Sequence, residues 1–207
     1  MPRTFAIIPA AGHSTRMGTP KLLLPLQGRP LILHTIEAWR RSRIDQVVVV
    51  VRPGDTGLAE VVCSANAVLV VPESPPPDMK ASIRAALVRI ERDLAPQAQD
   101  AFLVAPADMP RLSPLVIDRL MDQHFSSDQA SILVPTIAGR CGHPVLFPWP
   151  CADDVHRLPA DAGLNTLVEQ STPRLIPCED LISTGEYPFA DIDTPEDFRR
   201  VTGAEEP

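Results

Sequence analysis

The sequence predicts an α/β fold built on a mixed, mainly parallel sheet, and three features predict it. Short runs of Val, Ile, Leu and Ala alternate with amphipathic stretches of helix length across residues 4–135. The run at residues 46–51 is almost continuously apolar, as a strand covered by helices on both faces must be. The strand-like segments at 131–135 and 144–147 lie too close together for a helical crossover, so one of them must run antiparallel.

Taken in order, residues 4–9 read as the first strand and residues 12–20 as a polar loop. Pro30 opens a helix at 30–41, where its missing N–H is harmless, with Leu31, Leu33, His34 and Ala38 near one face. A strand at 46–51, a short helix at 56–64 and a strand at 67–71 follow. Pro75, Pro76 and Pro77 make residues 72–78 a stiff, extended loop. Residues 79–94 are the clearest helix: Ile83, Leu87, Ile90 and Leu94 recur at steps of three and four, with Arg84, Arg89 and Arg92 between them. A strand at 101–105 precedes a helix at 113–125, which Ser113 can cap and Pro114 can start. Beyond the strands at 131–135 and 144–147 the pattern is less regular, with segments at 148–158, 163–170, 174–177 and 194–201. There is no internal repeat, and residues 1–207 read as one domain.

Composition narrows the function. Hydrophobic residues are 44% and charged residues 22% of the 207, an ordinary globular balance with enough chain to bury a core without staples. Aromatic residues are only 4%, so the core rests on Val, Leu, Ile and Ala. The net charge of −7 argues against a general nucleic-acid binder, which carries a basic patch, and leaves nucleotide binding open. No apolar run has the length a bilayer demands, and the chain enters its first strand at Thr4 without signal-peptide anatomy. The expectation is a cytoplasmic protein with neither nucleic-acid nor membrane partner; the sequence sets no oligomeric state. Cys63, Cys141, Cys151 and Cys178 are widely spaced and form no Cys-x-x-Cys pair, so they are expected to be reduced, mostly buried thiols rather than zinc ligands.

Chemistry concentrates in the loop after the first strand, Pro9-Ala10-Ala11-Gly12-His13-Ser14-Thr15-Arg16-Met17-Gly18-Thr19-Pro20-Lys21. In open α/β sheets, ligands bind beyond the carboxyl ends of the strands, where this loop lies. The small residues Ala10, Ala11 and Gly12 allow a ligand to approach the backbone, whose N–H groups suit anions. Arg16 supplies a planar fork for phosphate oxygens and Lys21 a point charge. The loop is neither a P-loop, which needs Gly-Lys followed by Ser or Thr, nor the three-glycine dinucleotide fingerprint. That omission sets aside a nicotinamide dehydrogenase.

The string AAG-x-S-x-RMG-x-PK, followed by LLLPL-x-G-x-PL up to Leu31, resembles the MobA-like NTP transferases. These include the molybdenum cofactor cytidylyl- and guanylyltransferases; the string also resembles the wider sugar- and alcohol-phosphate nucleotidyltransferases. The resemblance implies a Rossmann-like three-layer sandwich of the nucleotide-diphospho-sugar transferase type. It further implies Mg²⁺-dependent transfer of a nucleoside monophosphate to a phosphorylated small molecule such as molybdopterin, with CTP the favoured donor and pyrophosphate released.

Further motifs carry the same resemblance. Asp108-Met109-Pro110 follows the fourth strand; its carboxylate could hold a metal over the sheet edge or simply cap the turn, and the resemblance makes Asp108 a Mg²⁺ ligand. Asp191-Ile192-Asp193-Thr194-Pro195-Glu196-Asp197 resembles the family's near-terminal acidic segment. Thr194 reads as a helix cap with acids in the first turn, Asp193 as the second metal contact, and Asp191 as a weaker candidate on the same strand face. Gly142-His143-Pro144 implies an acceptor-positioning role for His143, and Ser82 matches a loop near base and ribose, or else serves its own helix.

Two positions depart from the pattern. Asp78 stands where the family has Gly, and Asn165 where the molybdenum group has an Arg on the acceptor side. A missing guanidinium would remove a bidentate phosphate grip, which bears on the acceptor more than on the nucleotide. Pro9 and His34-Thr35 resemble methylerythritol phosphate cytidylyltransferases instead. The alternatives are therefore a cytidylyltransferase for methylerythritol phosphate or a sugar phosphate, or a non-catalytic nucleotide- or cofactor-binding protein.

Overall fold

The computed structural model describes residues 2–12, 19–127, 129–182, 189–192 and 194–202. The strands are β1 (Thr4–Pro9), β2 (Pro25–Leu26), β3 (Arg29–Pro30), β4 (Gln46–Val50), β5 (Val68–Val70), β6 (Ala101–Val104), β7 (Leu133–Ile137), β8 (Arg140–Cys141), β9 (Val145–Pro148) and β10 (Arg174–Pro177). The helices are α1 (Leu31–Arg41), α2 (Thr56–Ser64), α3 (Met79–Leu94), α4 (Pro114–Phe125), α5 (Cys151–Arg157), α6 (Leu164–Gln170) and α7 (Pro195–Thr202). Short 3₁₀ turns lie at Lys21–Leu23 and Glu179–Leu181. None of the described helices is long and apolar enough to cross a membrane.

The main sheet runs β10-β7-β9-β6-β1-β4-β5, with β8 paired to β7. β1 is parallel to both β4 and β6, β4 to β5, and β7 to β10. β9 runs antiparallel between β6 and β7, and β8 pairs antiparallel with β7. Alternation along the central strands builds two cores. Phe5 and Ile7 of β1 pack with Val48, Phe102 and the α3 residues Ile83, Leu87 and Ile90. Ala6 and Ile8 face the opposite way, against Ile36 and Trp39 of α1 and Ile117 and Leu120 of α4. Helices thus cover both faces, which is why β4 is apolar on both. Each fully buried side chain of this kind contributes about 1.5–3 kcal/mol.

Phe102 and Phe147 stand opposite each other in the β6–β9 register and stack with centroids 5.0 Å apart. Such a pair is worth about 0.5–1.5 kcal/mol beyond its area. It favours the register that sets Val145 beside Val104, and so determines where the segment before β9 emerges.

The structure corrects several expectations. The buried face of α1 is Leu31, Ile32, Thr35, Ile36, Ala38 and Trp39, because the sheet lies on that side; Leu33 and His34 are only half-buried. His34 Nε2 instead meets the Leu26 carbonyl at 2.8 Å, tying α1 to the β2–β3 hairpin. That hairpin turns on Gln27 and Gly28, both at positive φ. Glutamine is an uncommon choice there, and strands of two residues carry no periodicity to read. The thiols are not mostly buried: Cys63 and Cys141 are exposed, Cys151 is intermediate and Cys178 is buried, all four free. Residues 189–192 form no strand, so Asp191 does not occupy the strand face expected of it.

Candidate active site

Four segments meet beyond one edge of the sheet. β1 and β6 are parallel and in register at Ile7 and Val104, so the loops that leave them start side by side. β9 runs against β6, which brings Gly142-His143-Pro144, the residues just before it, to the same place. The fourth segment crosses from near the C-terminus: the Ile192 N–H donates to the Asp108 carbonyl at 3.1 Å.

The loop carrying Asp108 is pinned on both sides. The Ala105 N–H donates to Ile7 of β1 at 3.4 Å, and the buried Thr35 hydroxyl of α1 donates to the Ala107 carbonyl at 3.0 Å. Met109 is buried beneath it. Lys21, in the 3₁₀ turn at the far end of the first loop, donates its ammonium to Asp108 Oδ2 and to the Ile192 carbonyl, the latter at 2.9 Å. The other oxygen, Asp108 Oδ1, is buried without a hydrogen-bond partner among the described residues. Burial pushes the Asp108 carboxyl above the usual carboxylate range, the Lys21 ammonium opposes this, and the Asp191 charge adds to it. A buried anionic oxygen without a partner is costly, and a cation is what it lacks. The donor set fits Mg²⁺, which takes few carboxylates and fills its shell with phosphate and water.

Beside this pair opens a cavity of ≈ 840 Å³. His143 and Asn165 both line it, as do Cys141, Phe189 and Asp191. Burial pushes the His143 imidazole below its ordinary value; a hydrogen bond to the Val104 backbone and the charges of Asp191 and Asp108 act in the opposite sense. Burial thus favours the neutral ring, and its buried Nδ1 has no partner among the described residues.

The remaining sequence candidates fall as follows. Ala10 and Ala11 are buried at the end of β1, and Gly12 is exposed, with none of the described residues where a Cβ would sit. The Ala10 N–H is used by the sheet, donating to Val50 at 2.8 Å, so it is not available to an anion. Ser82 is buried in the first turn of α3, its hydroxyl 3.4 Å from the Asp78 carbonyl. Asp78 caps that helix, accepting from the Ala81 N–H at 2.7 Å, which gives the departure from Gly a physical reason. Arg16 and Asp193 lie outside the described residues. Thr194 and Asp197 form a reciprocal cap at the start of α7, the Thr194 N–H donating at 2.9 Å and the Asp197 N–H returning at 3.2 Å.

Sequence reasoning missed two participants. Phe189 packs so closely on Gly142 that a Cβ at 142 would overlap its ring. Lys80 is buried beneath the far wall of the cavity. Residues 142 and 189 are distant in sequence, and only the fold joins them.

A mixed, mainly parallel sheet with helices on both faces and a charged site over its edge is the architecture of the nucleotide-diphospho-sugar transferase class. The solved structure of Rv0371c from Mycobacterium tuberculosis H37Rv shares it, with a TM-score of 0.76 at 26% identity over 98% of both chains. A manganese complex of Rv0371c superimposes with a TM-score of 0.74 at 22% identity, over 98% of this chain and 99% of that one. The MobA-like NTP transferase domain matches residues 6–175, and the chain belongs to that family.

Among curated relatives, the 2-C-methyl-D-erythritol 4-phosphate cytidylyltransferase of Ralstonia nicotianae is 39% identical over 125 residues, 58% of this chain and 49% of that protein. The protein of the same name from Azoarcus sp. (strain BH72) is 33% identical over 180 residues, 84% of this chain and 71% of that one. The chain spans about half the length of the first two such relatives, 49% and 53%.

Proposed function

We propose that this chain is a cytidylyltransferase that transfers CMP from CTP to a phosphorylated small molecule and releases pyrophosphate. The observation that carries the proposal is the Lys21–Asp108 pair over the ends of β1 and β6, with Asp108 Oδ1 unpartnered among the described residues, near a cavity bearing His143 and Asn165. The donor CTP is supported by the relatives named as cytidylyltransferases.

Little covalent work falls to the protein; positioning and charge neutralisation carry the rate. The exposed Gly12 lets the nucleotide approach the backbone. Lys21 and Arg16 neutralise the triphosphate and the departing pyrophosphate. Asp108 and Asp193 would hold a divalent metal, Mg²⁺ on the family resemblance; the manganese complex of Rv0371c supports a divalent ion. When bound, the metal neutralises charge on the phosphate oxygens. The attacking acceptor phosphate oxygen is already ionised at neutral pH, so His143 need not act as a base. Its half-buried ring orients the acceptor with one hydrogen bond, in the cavity that Asn165 also lines.

The relatives support methylerythritol phosphate as acceptor, and Asn165 in place of Arg weakens the case for molybdopterin. Molybdopterin stands as the second reading because Asp108-Met109-Pro110 and Gly142-His143-Pro144 match the molybdenum group. The test is pyrophosphate release with Mg²⁺, each NTP assayed against both acceptors, with Asp108→Ala as control. Release that needs CTP, one acceptor and Asp108 supports the proposal and names the acceptor. Tight NTP binding without turnover would favour a non-catalytic binding protein, and absence of NTP binding would sink the transferase reading.

A further inference from the structure

Two cations on α3 hold the chain that builds the far wall of the cavity. Lys80 is only 5% exposed, and its ammonium donates to three neutral carbonyls: Pro159 at 2.5 Å, Ala160 at 2.9 Å and Ala162 at 2.6 Å. Three N–H bonds meet three acceptors, so the ammonium is fully used by one loop. One turn further along α3, Arg84 donates from Nε to Val155 at 3.0 Å and from Nη2 to His156 and Leu158 at 3.1 and 2.7 Å. Those carbonyls lie in the last turn of α5 and at the residue just after it, where a cation is favoured. Together the two side chains secure residues 155–162, a stretch with little regular structure after Arg157.

What they secure leads straight into the cavity. Gly163 caps α6, and Asn165, Val168 and Glu169 of that helix line the wall. α6 is only seven residues long and has no fully buried residue; Leu164, Leu167 and Val168 pack against the core part-buried, so the chain that enters the helix shares in fixing it. The other end of the device is the first turn of α3, where Asp78 and Ser82 lie in the segment that resembles a nucleotide loop. Lys80 sits between those two residues in sequence and bonds the loop of residues 159–162 instead.

We propose that Lys80 is a positioning residue for the acceptor: by holding the carbonyls of residues 159–162 it sets α6, and with it Asn165, at the acceptor wall. The role rests on the transferase reading above. Removing the ammonium takes a donor from the Pro159, Ala160 and Ala162 carbonyls, leaving Pro159 only the Ala162 N–H, and loosens the loop, while Lys21, Asp108 and the nucleotide side stay in place. Loss of positioning therefore appears in acceptor binding and not in nucleotide binding.

The experiment compares wild type with Lys80→Met. It reads steady-state kinetics with methylerythritol phosphate or molybdopterin as acceptor, CTP affinity by calorimetry, and amide hydrogen exchange. The expected result is an acceptor KM raised about tenfold with CTP affinity changed less than about twofold. Exchange should rise in residues 159–170 and stay unchanged in β1, β4 and β6. If Lys80→Met does not fold, Lys80→Gln, which keeps two donors, takes its place. An unchanged acceptor KM, or acceptor and CTP affinities that fall together, would overturn the role of Lys80 and leave the transferase reading standing. A wild-type chain that turns over neither acceptor overturns that reading, and the role of Lys80 with it.

Discussion

Lys21 and Asp108, 87 residues apart, form an ion pair in which the ammonium also holds the Ile192 carbonyl. Lys21 thus stands against Asp108 where a metal ion would be held, and it ties down the segment leading to Asp193. Lys21→Met should therefore bind Mn²⁺ more tightly than wild type when no nucleotide is present, since Asp108 then meets no competing ammonium. Turnover should nevertheless fall by about 10²-fold or more, because the triphosphate loses a cation. Mn²⁺ titration followed by electron paramagnetic resonance checks the first effect and pyrophosphate release the second. Unchanged or weaker Mn²⁺ binding in the variant would refute the competition.

Lys21 and Asp108 were legible in the sequence because each belongs to a local string beside a strand-like run. The long elements were legible for a related reason: α3 shows its apolar repeat over 16 residues, and its predicted limits match the structure. The β2–β3 hairpin and β8 were not, since two-residue strands have no period. Lys80 carries no local signal in the sequence; only the fold brings the carbonyls of Pro159, Ala160 and Ala162 to it. Contacts of that range are decided by topology, which local pattern does not encode.

Asp100 should be a principal anchor of stability. It is 1% exposed and accepts from the Arg3 N–H at 2.7 Å, the Arg3 guanidinium at 2.9 Å and the Gln97 N–H at 2.8 Å. Burial alone would raise its carboxyl; the N–H groups of Gln97 and Arg3 and the guanidinium outweigh that and hold it below the ordinary aspartate value. The unfolded chain then binds the proton first as pH falls. The stabilisation is complete above about pH 4 and is lost as pH drops through the lower folded value. Asp100→Ala should cost about 2–3 kcal/mol at pH 7 and noticeably less near pH 2. Urea unfolding at both values measures the difference.

The four thiols should divide in two. Burial pushes Cys151 up to about 11, with Asp154 adding to it, and burial likewise pushes Cys178 up to about 11 despite Arg119. Cys63 and Cys141 are exposed. At pH 8 the first pair should react with a thiol reagent about 10²-fold more slowly than the second, because the thiolate is the nucleophile. Cys141 lines the cavity, so the acceptor should protect it from labelling while Cys63 stays reactive. Mass-spectrometric mapping of a timed reaction, with and without acceptor, reads both effects.

Gly142 and Phe189 should behave as a coupled pair. A Cβ at 142 would overlap the Phe189 ring, so Gly142→Ala must push that ring away and with it the segment ending at Ile192, which Lys21 and Asp108 hold. The variant should lose about 1–3 kcal/mol, the ordinary cost of overpacking. Phe189→Ala alone loses the ring's packing against the core. In the double variant the added methyl finds the space the ring has left, so the two losses should sum to more than the double variant shows. A coupling of about 0.5 kcal/mol or more from a double-mutant cycle in urea would establish the contact. Additive losses would mean that the ring moves away at no cost, and that the methyl at 142 leaves the segment holding Ile192 undisturbed.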